Sequence, residues 1–104
     1  MPLIKFNVRN QLLRQYNSVV VAANSSNYLK LQFNFLTEDW ASVGNKSVYI
    51  ISQNRSEPFL LNEYNQVFVP TYFIKPPCFS ISVFGGGITT NMVEIPVVDN
   101  GYRP

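Results

Sequence analysis

Apolar and polar residues alternate along much of the chain, which is the period of a β-strand that packs one face into a core and exposes the other. Residues 28–35 place leucine and phenylalanine on one face and lysine, glutamine and asparagine on the other. Residues 78–83 alternate phenylalanine, isoleucine and valine with serine, and residues 92–98 repeat the alternation with valine and isoleucine. Each stretch therefore predicts a half-buried strand.

The last of these strands is predicted to lie at the edge of its sheet. Pro96 falls on the outward phase of residues 92–98 and has no N–H to donate to a neighbouring strand. An unpaired edge can be covered by another copy of the same chain. The outward residues of this strand are therefore candidates for an assembly surface: Met92, Glu94, Pro96 and Val98.

Weaker signals predict further strands and two hairpins. Short runs with strand character occupy residues 3–8, 18–23, 47–52, 59–61 and 66–69. The sequence Asn-Glu-Tyr-Asn at residues 62–65 predicts a hairpin turn between the last two runs. The three glycines at residues 85–87 predict a second hairpin, whose turn needs positive φ.

Turn residues recur about every 8–12 residues, which is the spacing of an all-β sandwich or barrel. Besides the two hairpins, they occupy residues 24–27, 44–45, 54–58 and 76–77. The only helical signal is one turn that Thr37 could cap, with Glu38 and Asp39 at its start. We therefore expect one all-β domain over residues 1–104, with a loose tail at residues 100–104.

The composition excludes several kinds of catalytic and metal site. The chain has no histidine and one cysteine, Cys78. These counts rule out a Ser–His–Asp or Cys–His catalytic arrangement, an imidazole metal site, a thiolate zinc site and an internal disulfide. The acidic residues are scattered over predicted turns and strand ends, so no carboxylate pair for glycoside hydrolysis is indicated. We expect a protein that is not an enzyme and holds no cofactor or metal.

Charge and hydropathy add expectations about partners. Only 13% of the residues are charged, and the net charge is +2. The lysines and arginines are spread along the sequence, so no electrostatic footprint for nucleic acid is visible. The longest unbroken apolar run, residues 19–23, is too short to span a membrane, and the N-terminus lacks the apolar stretch of a signal peptide. We expect neither nucleic-acid binding nor membrane insertion.

The aromatic residues leave two interpretations open. Trp40 is the only tryptophan, and it can either anchor the core at one end of a sandwich or serve as a stacking platform for a sugar. The core anchor is the simpler interpretation. Tyr64, in the predicted hairpin turn, and Tyr72 are the other candidates for stacking on a glycan. Burial of all three rings would exclude glycan binding of this kind, whereas a shared exposed strip would favour it.

The order of several motifs resembles a family of viral proteins. Phe33-x-Phe35 is followed by Glu38-Asp39-Trp40, by a turn that contains Gly44 and by the strand Val48-Tyr49-Ile50. Further on come the segments NQVFVP at residues 65–70, PPCFSISVFG at residues 76–85 and TTNMVEI at residues 89–95. Over residues 19–102 this order resembles a small domain of tail-fibre and baseplate proteins from phages and prophages of Gram-positive bacteria, such as the N-terminal domain of the baseplate upper protein.

The resemblance implies an immunoglobulin-like antiparallel β-sandwich of about seven or eight strands. In this fold the packing signature would fall on Phe33, Phe35, Trp40, Phe79, Ile81 and Val83. The family offers no catalytic residues. Its members act in the virion tail, where symmetric copies pack against each other or anchor a longer fibre.

The expected function is therefore that of a non-enzymatic structural or adaptor module of the host-attachment apparatus, located in the virion. Its expected partners are other tail or baseplate proteins and copies of itself, with a trimer as one arrangement. The alternative function is a carbohydrate-binding module that recognises host cell-wall polysaccharide through Trp40, Tyr64 or Tyr72.

Overall fold

The structure, a computed structural model, describes residues 3–17, 20–22 and 29–98. Within these residues the chain forms ten strands: β1 (Leu3–Arg9), β2 (Leu12–Gln15), β3 (Val21–Ala22), β4 (Lys30–Phe35), β5 (Ser47–Ser52), β6 (Arg55–Leu60), β7 (Gln66–Phe68), β8 (Cys78–Gly85), β9 (Ile88–Thr89) and β10 (Val93–Val98). The helical segments of this part of the chain are two 3-10 turns, Glu38–Trp40 and Thr71–Phe73. The all-β prediction is confirmed. The turn predicted at residues 24–27 and the tail at residues 100–104 lie outside the described residues.

The strands form two sheets. The smaller sheet has the order β2-β1-β4-β7, and the larger sheet has the order β3-β10-β8-β5-β6, with β9 paired to β8. Both sheets are mixed, because β1 runs parallel to β4 and β10 runs parallel to β3. The expected sandwich has fewer strands and only antiparallel pairs. The difference arises because the chain leaves the smaller sheet after β2, adds β3 to the larger sheet and returns as β4 beside β1, and such a crossover makes parallel neighbours.

Both sheets contribute buried side chains to one hydrophobic core. In β1 every second residue is fully buried, as the alternation predicts, and Phe6 stacks on Phe33 of β4 with ring centroids 5.1 Å apart. In the larger sheet, Ile50 of β5 lies opposite Ile81 of β8, and both are fully buried. A large apolar side chain contributes about 1.5–3 kcal/mol when it is fully buried. The shared core is therefore the main interaction that holds the two sheets together.

The outward positions of β8 are less exposed to water than the alternation predicts. Ser82 lies on the same phase as Cys78 and Ser80, yet it is buried. It belongs to an internal strand and lies directly opposite Tyr49 of β5, whose ring stacks on that of Phe84. A short side chain between large neighbours loses its contact with water, and the sequence period does not reveal this.

The two predicted hairpins have different outcomes. The glycine hairpin is confirmed: β8 and β9 pair across a turn in which Gly86 has φ 54° and Gly87 has φ 82°. The segment at residues 62–65 is a turn, in which Asn62 Oδ1 accepts a hydrogen bond from the backbone N–H of Tyr64. However, the strands that flank it pair elsewhere, β6 with β5 and β7 with β4. This turn carries the chain from one sheet to the other, so the hairpin prediction there is wrong.

The sheet edges also differ from the prediction. β10 pairs with β8 on one side and, at Val97 and Val98, with β3 on the other. The prediction that residues 92–98 form an edge strand is therefore wrong at the C-terminal end. The sequence did not reveal this pairing, because the partner strand β3 has only two residues and shows no alternation of its own. One end of the larger sheet is β6, which includes residues 55–58 that the sequence assigns to a turn, and Pro58 lies within this terminal strand.

Two asparagine side chains extend the hydrogen bonding of the smaller sheet. The Asn17 amide accepts from Lys5 N at 2.7 Å and donates to Leu3 O at 3.0 Å. The Asn91 amide does the same for Leu13 of β2, accepting from its N at 2.7 Å and donating to its O at 3.3 Å. Each amide makes the pair of bonds that the backbone of a further strand would make. Asn91 lies between β9 and β10 of the larger sheet, so its side chain connects that sheet to β2.

Candidate functional site

Trp40 is part of the core. Its side chain is fully buried, its ring centroid lies 4.9 Å from that of Phe35, and Nε1 donates to the backbone oxygen of Asn10 at 2.7 Å. The 3-10 turn Glu38–Trp40 directs the indole inward at the end of the smaller sheet. A sugar cannot stack on a ring that has no exposed face, so the stacking role considered for Trp40 does not hold. The position is that of a core anchor.

Tyr64 and Tyr72 are both exposed, but they lie in different turns. Tyr64 is in the turn at residues 62–65, whereas Tyr72 belongs to the 3-10 turn Thr71–Phe73. The Arg55 guanidinium lies 4.3 Å from the Tyr72 ring centroid, and the Tyr72 hydroxyl donates to Glu57 Oε1 at 3.3 Å. One face of the Tyr72 ring is therefore already occupied. Among the described residues, no ring contact joins the two tyrosines into a common strip.

A polar cleft of about 300 Å³ lies beside Tyr72. Arg55, Lys75 and the half-buried thiol of Cys78 contribute to its lining. The neighbouring carboxylate, Glu57, is held by Arg55 at 3.4 Å and by the Tyr72 hydroxyl. None of the residues that line the cleft is a carboxylate. Over the described part of the chain, no three potential metal ligands lie close enough together to hold an ion.

The outer face of the larger sheet carries exposed apolar side chains that the sequence analysis did not single out. Tyr49 of β5 stacks on Phe84 of β8 with ring centroids 4.7 Å apart. On the terminal strand β6, Pro58 lies opposite Tyr49, and Leu60 lies diagonal to it and is 62% exposed. We call Tyr49, Pro58, Leu60 and Phe84 the apolar cluster. Only the register of three strands brings these residues together.

The residues predicted for an assembly surface lie on the other side of β8 from the apolar cluster. Glu94 of β10 lies opposite Ser80 of β8, and β5 and β6 follow on the far side of β8. All four predicted residues are exposed: Met92, Glu94, Pro96 and Val98. Their involvement in assembly stays a prediction.

The outer face of the smaller sheet is basic. Arg14 of β2 lies opposite Asn7 of β1, and Lys5 of β1 lies opposite Gln32 of β4. Two more cations occupy outward positions of the same sheet: Arg9 at the end of β1 and Lys30 at the start of β4. We call Lys5, Arg9, Arg14 and Lys30 the basic face.

The sequence alone shows the lysines and arginines as spread along the chain, whereas the strand register places these four on one sheet face. Lys5, Arg9 and Arg14 lie within ten residues of one another on β1 and β2, and strand pairing adds Lys30 because β4 lies beside β1. The signal that could have found them is their common outward phase, but using it requires the order of the strands. The absence of nucleic-acid binding stays a prediction.

Comparisons of the chain with protein-family models, with curated proteins and with solved structures find no match. Among the described residues, no helix is long and apolar enough to cross a membrane.

Proposed function

We propose that the chain is a non-enzymatic structural or adaptor module of a phage tail or baseplate, where it assembles with copies of itself and with other proteins of the host-attachment apparatus. The motif order over residues 19–102 supports the viral setting. We also propose that the two sheets form the immunoglobulin-like sandwich that the resemblance implies. The packing of both sheets around one core supports this arrangement. The apolar cluster is the observation that carries the assembly role.

The apolar cluster has the features of a protein contact surface. The stacked pair of Tyr49 and Phe84 lies beside a terminal strand, and Leu60 of that strand is 62% exposed. Adjoining exposed apolar side chains mark protein interaction sites more often than isolated ones do. Pro58 has no N–H to donate, which disfavours open-ended assembly through edge-to-edge pairing of β6 with strands of further copies. We therefore expect contact through side chains and a closed set of copies.

The assembly role is tested by light scattering of the purified chain over a concentration series. We expect an oligomer of fixed size. Burying the exposed part of Leu60 is worth about 1–2 kcal/mol per contact, so Leu60→Ser should raise the dissociation constant roughly 5- to 30-fold. Leu36→Ser is the matched control, since Leu36 is also exposed but lies outside the larger sheet. A wild-type monomer at high micromolar concentration would contradict self-assembly.

The viral setting needs a separate test. Antibodies raised against the chain should label the tail end of phage particles induced from a strain that carries the gene. Labelling of the capsid, or particles that carry no label although the protein is expressed, would contradict the tail location while leaving the self-assembly result intact.

Glycan binding through stacked aromatic rings, the alternative from the sequence, has less structural support. Trp40 is buried, Arg55 covers one face of Tyr72, and Tyr64 lies in a different turn. These three rings do not form the shared exposed strip that this function would need.

A further inference from the structure

We propose that the basic face of the smaller sheet binds an anionic polysaccharide. This inference is independent of the phage setting and of self-assembly, because it rests only on side chains that the strand register places together. It also uses none of the three aromatic residues considered for glycan stacking.

The cations of the basic face have no carboxylate partner. Among residues 3–17, 20–22 and 29–98, the single ion pair is that between Arg55 and Glu57. Lys30 contacts an aromatic ring instead, with Nζ 5.0 Å from the ring centroid of Phe68. In the strand register Lys5 lies diagonal to both Lys30 and Arg14, where the like charges repel one another more weakly than directly opposite charges would. An anionic ligand would relieve this repulsion, so the face is complementary to negative charge.

Paired amide side chains lie between the cations. Asn34 Nδ2 donates to Asn7 Oδ1 at 3.3 Å across β1 and β4, and Gln66 Nε2 donates to Gln32 Oε1 at 3.2 Å across β4 and β7. Each hydrogen bond holds its two amides in place but uses only part of their capacity, because an amide offers two donors and an acceptor. The remaining groups suit hydroxyls, which are both donors and acceptors. Cations beside fixed amides therefore match a chain that carries acidic groups and hydroxyls.

The dimensions of the face fit an extended ligand. Strands lie about 4.8 Å apart, so the smaller sheet is about 14 Å wide, and the five residues from Lys5 to Arg9 span about 13 Å. An open cleft of about 300 Å³ lies on this surface, with Asn7, Arg14 and Tyr16 in its lining. Positive charge spread over such an area favours a polymer over a single small anion.

The positions of the aromatic rings favour a polysaccharide over a nucleic acid. Proteins that bind single-stranded nucleic acid on a sheet stack the bases on aromatic side chains. Here the internal strands β1 and β4 present amides and cations outward. The exposed rings are at the margins: Tyr16 directly follows β2, and Phe68 is on the terminal strand β7, where Lys30 lies over its ring. Bases would find no stacking surface at the centre.

The test measures binding of the full chain to polygalacturonate by biolayer interferometry, with neutral dextran as the uncharged comparison. The variant Lys5→Gln/Arg14→Gln removes two cations from the basic face. Its matched control, Arg55→Gln/Lys75→Gln, makes the same two chemical changes elsewhere on the surface. We expect the first variant to weaken binding at least about tenfold and the control less than about twofold, with wild-type binding falling as salt increases.

Circular dichroism should show that both double variants are folded, because all four side chains point outward or lie in exposed segments. Equal losses in the two variants would mean attraction to net charge alone and would overturn the proposal. Tighter binding to oligo(dT) than to polygalacturonate would overturn it in favour of a nucleic acid. Equal binding to dextran and polygalacturonate, or no binding to polygalacturonate at low salt, would also overturn it.

Discussion

Replacing Trp40 by alanine should cost this domain a large part of its stability. The side chain is fully buried, contacts Phe35 and donates to the backbone of Asn10. Truncation of a buried Phe or Trp to Ala typically costs about 3–5 kcal/mol through lost transfer free energy and the cavity left behind. The lost hydrogen bond accounts for about 1 kcal/mol. A domain of this size has a free energy of unfolding of about 5–15 kcal/mol, so Trp40→Ala should remove about a fifth of it or more.

A second substitution separates the packing of the indole from its hydrogen bond. Trp40→Phe retains an aromatic ring but removes the donor to Asn10 O, so we expect a loss of about 1–2 kcal/mol. Tyr64→Ala is the control for loss of an aromatic ring at the surface, because Tyr64 is 68% exposed. Its effect should stay within about 0.5 kcal/mol. Stability should therefore fall in the order Tyr64→Ala, Trp40→Phe, Trp40→Ala.

The assay is urea unfolding followed by far-UV circular dichroism, because Trp40 is the only tryptophan and its fluorescence is lost in both Trp40 variants. Thermal unfolding provides a second measurement: at about 4–8 °C per kcal/mol for a domain near this size, Trp40→Ala should lower Tm by about 12–40 °C. If Trp40→Ala unfolds within about 1 kcal/mol of wild type, the indole does not anchor the core. The burial argument would then fail, and a surface role for Trp40 would have to be considered again.

Two further predictions concern backbone contacts. Gly85→Ala should lower the free energy of unfolding in urea by about 1–3 kcal/mol, because a Cβ at Gly85 would lie 2.8 Å from the backbone oxygen of Asn45. Gly44→Ala is the control: no atom lies within 4 Å of a Cβ there, so it should change stability by less than about 1 kcal/mol. Equal effects of the two substitutions would contradict the predicted clash at Gly85. Asn91→Ala should cost about 1–2 kcal/mol, because it removes both hydrogen bonds to the backbone of Leu13, and an unchanged urea midpoint would show that the amide does not hold β2.

The strands that the sequence predicts well are those with one face in the core. β1 and β8 each bury three inward positions, and β4 buries Leu31 and Phe33 directly after the buried Leu29, so a two-residue period is visible in each. β2 buries only Leu13, and β3 is two residues long, so neither has enough positions to show a period. β6 has a polar N-terminal half and contains Pro58, which is typical of a turn. It is a strand because β5 supplies its hydrogen-bond partners.

The candidate surfaces were harder to predict because they depend on strand order. Leu60 and Phe84 both lie opposite Ser47, one on each side of β5, but the sequence does not say that β5 lies between β6 and β8. The same holds for the basic face, where β1 lies between β2 and β4. Burial of Trp40 could be inferred from the sequence as the simpler interpretation, since a lone tryptophan beside an amphipathic strand usually packs into the core. The contacts of Trp40 with Phe35 and with the backbone of Asn10 could not be inferred from the sequence.

The two outer faces have different chemistry, and their placement allows both to act at once. The apolar cluster lies on the larger sheet and the basic face on the smaller sheet, so an assembly that covers the cluster does not use the residues of the basic face. Each added copy then presents another basic face to the same polymer. Linked sites raise overall affinity by about 10²–10⁴-fold where the geometry lets them bind together. Self-association through Leu60 would in this way strengthen polysaccharide binding although Leu60 itself contacts no sugar, and Leu60→Ser should weaken binding to a long polymer more than binding to a short oligosaccharide.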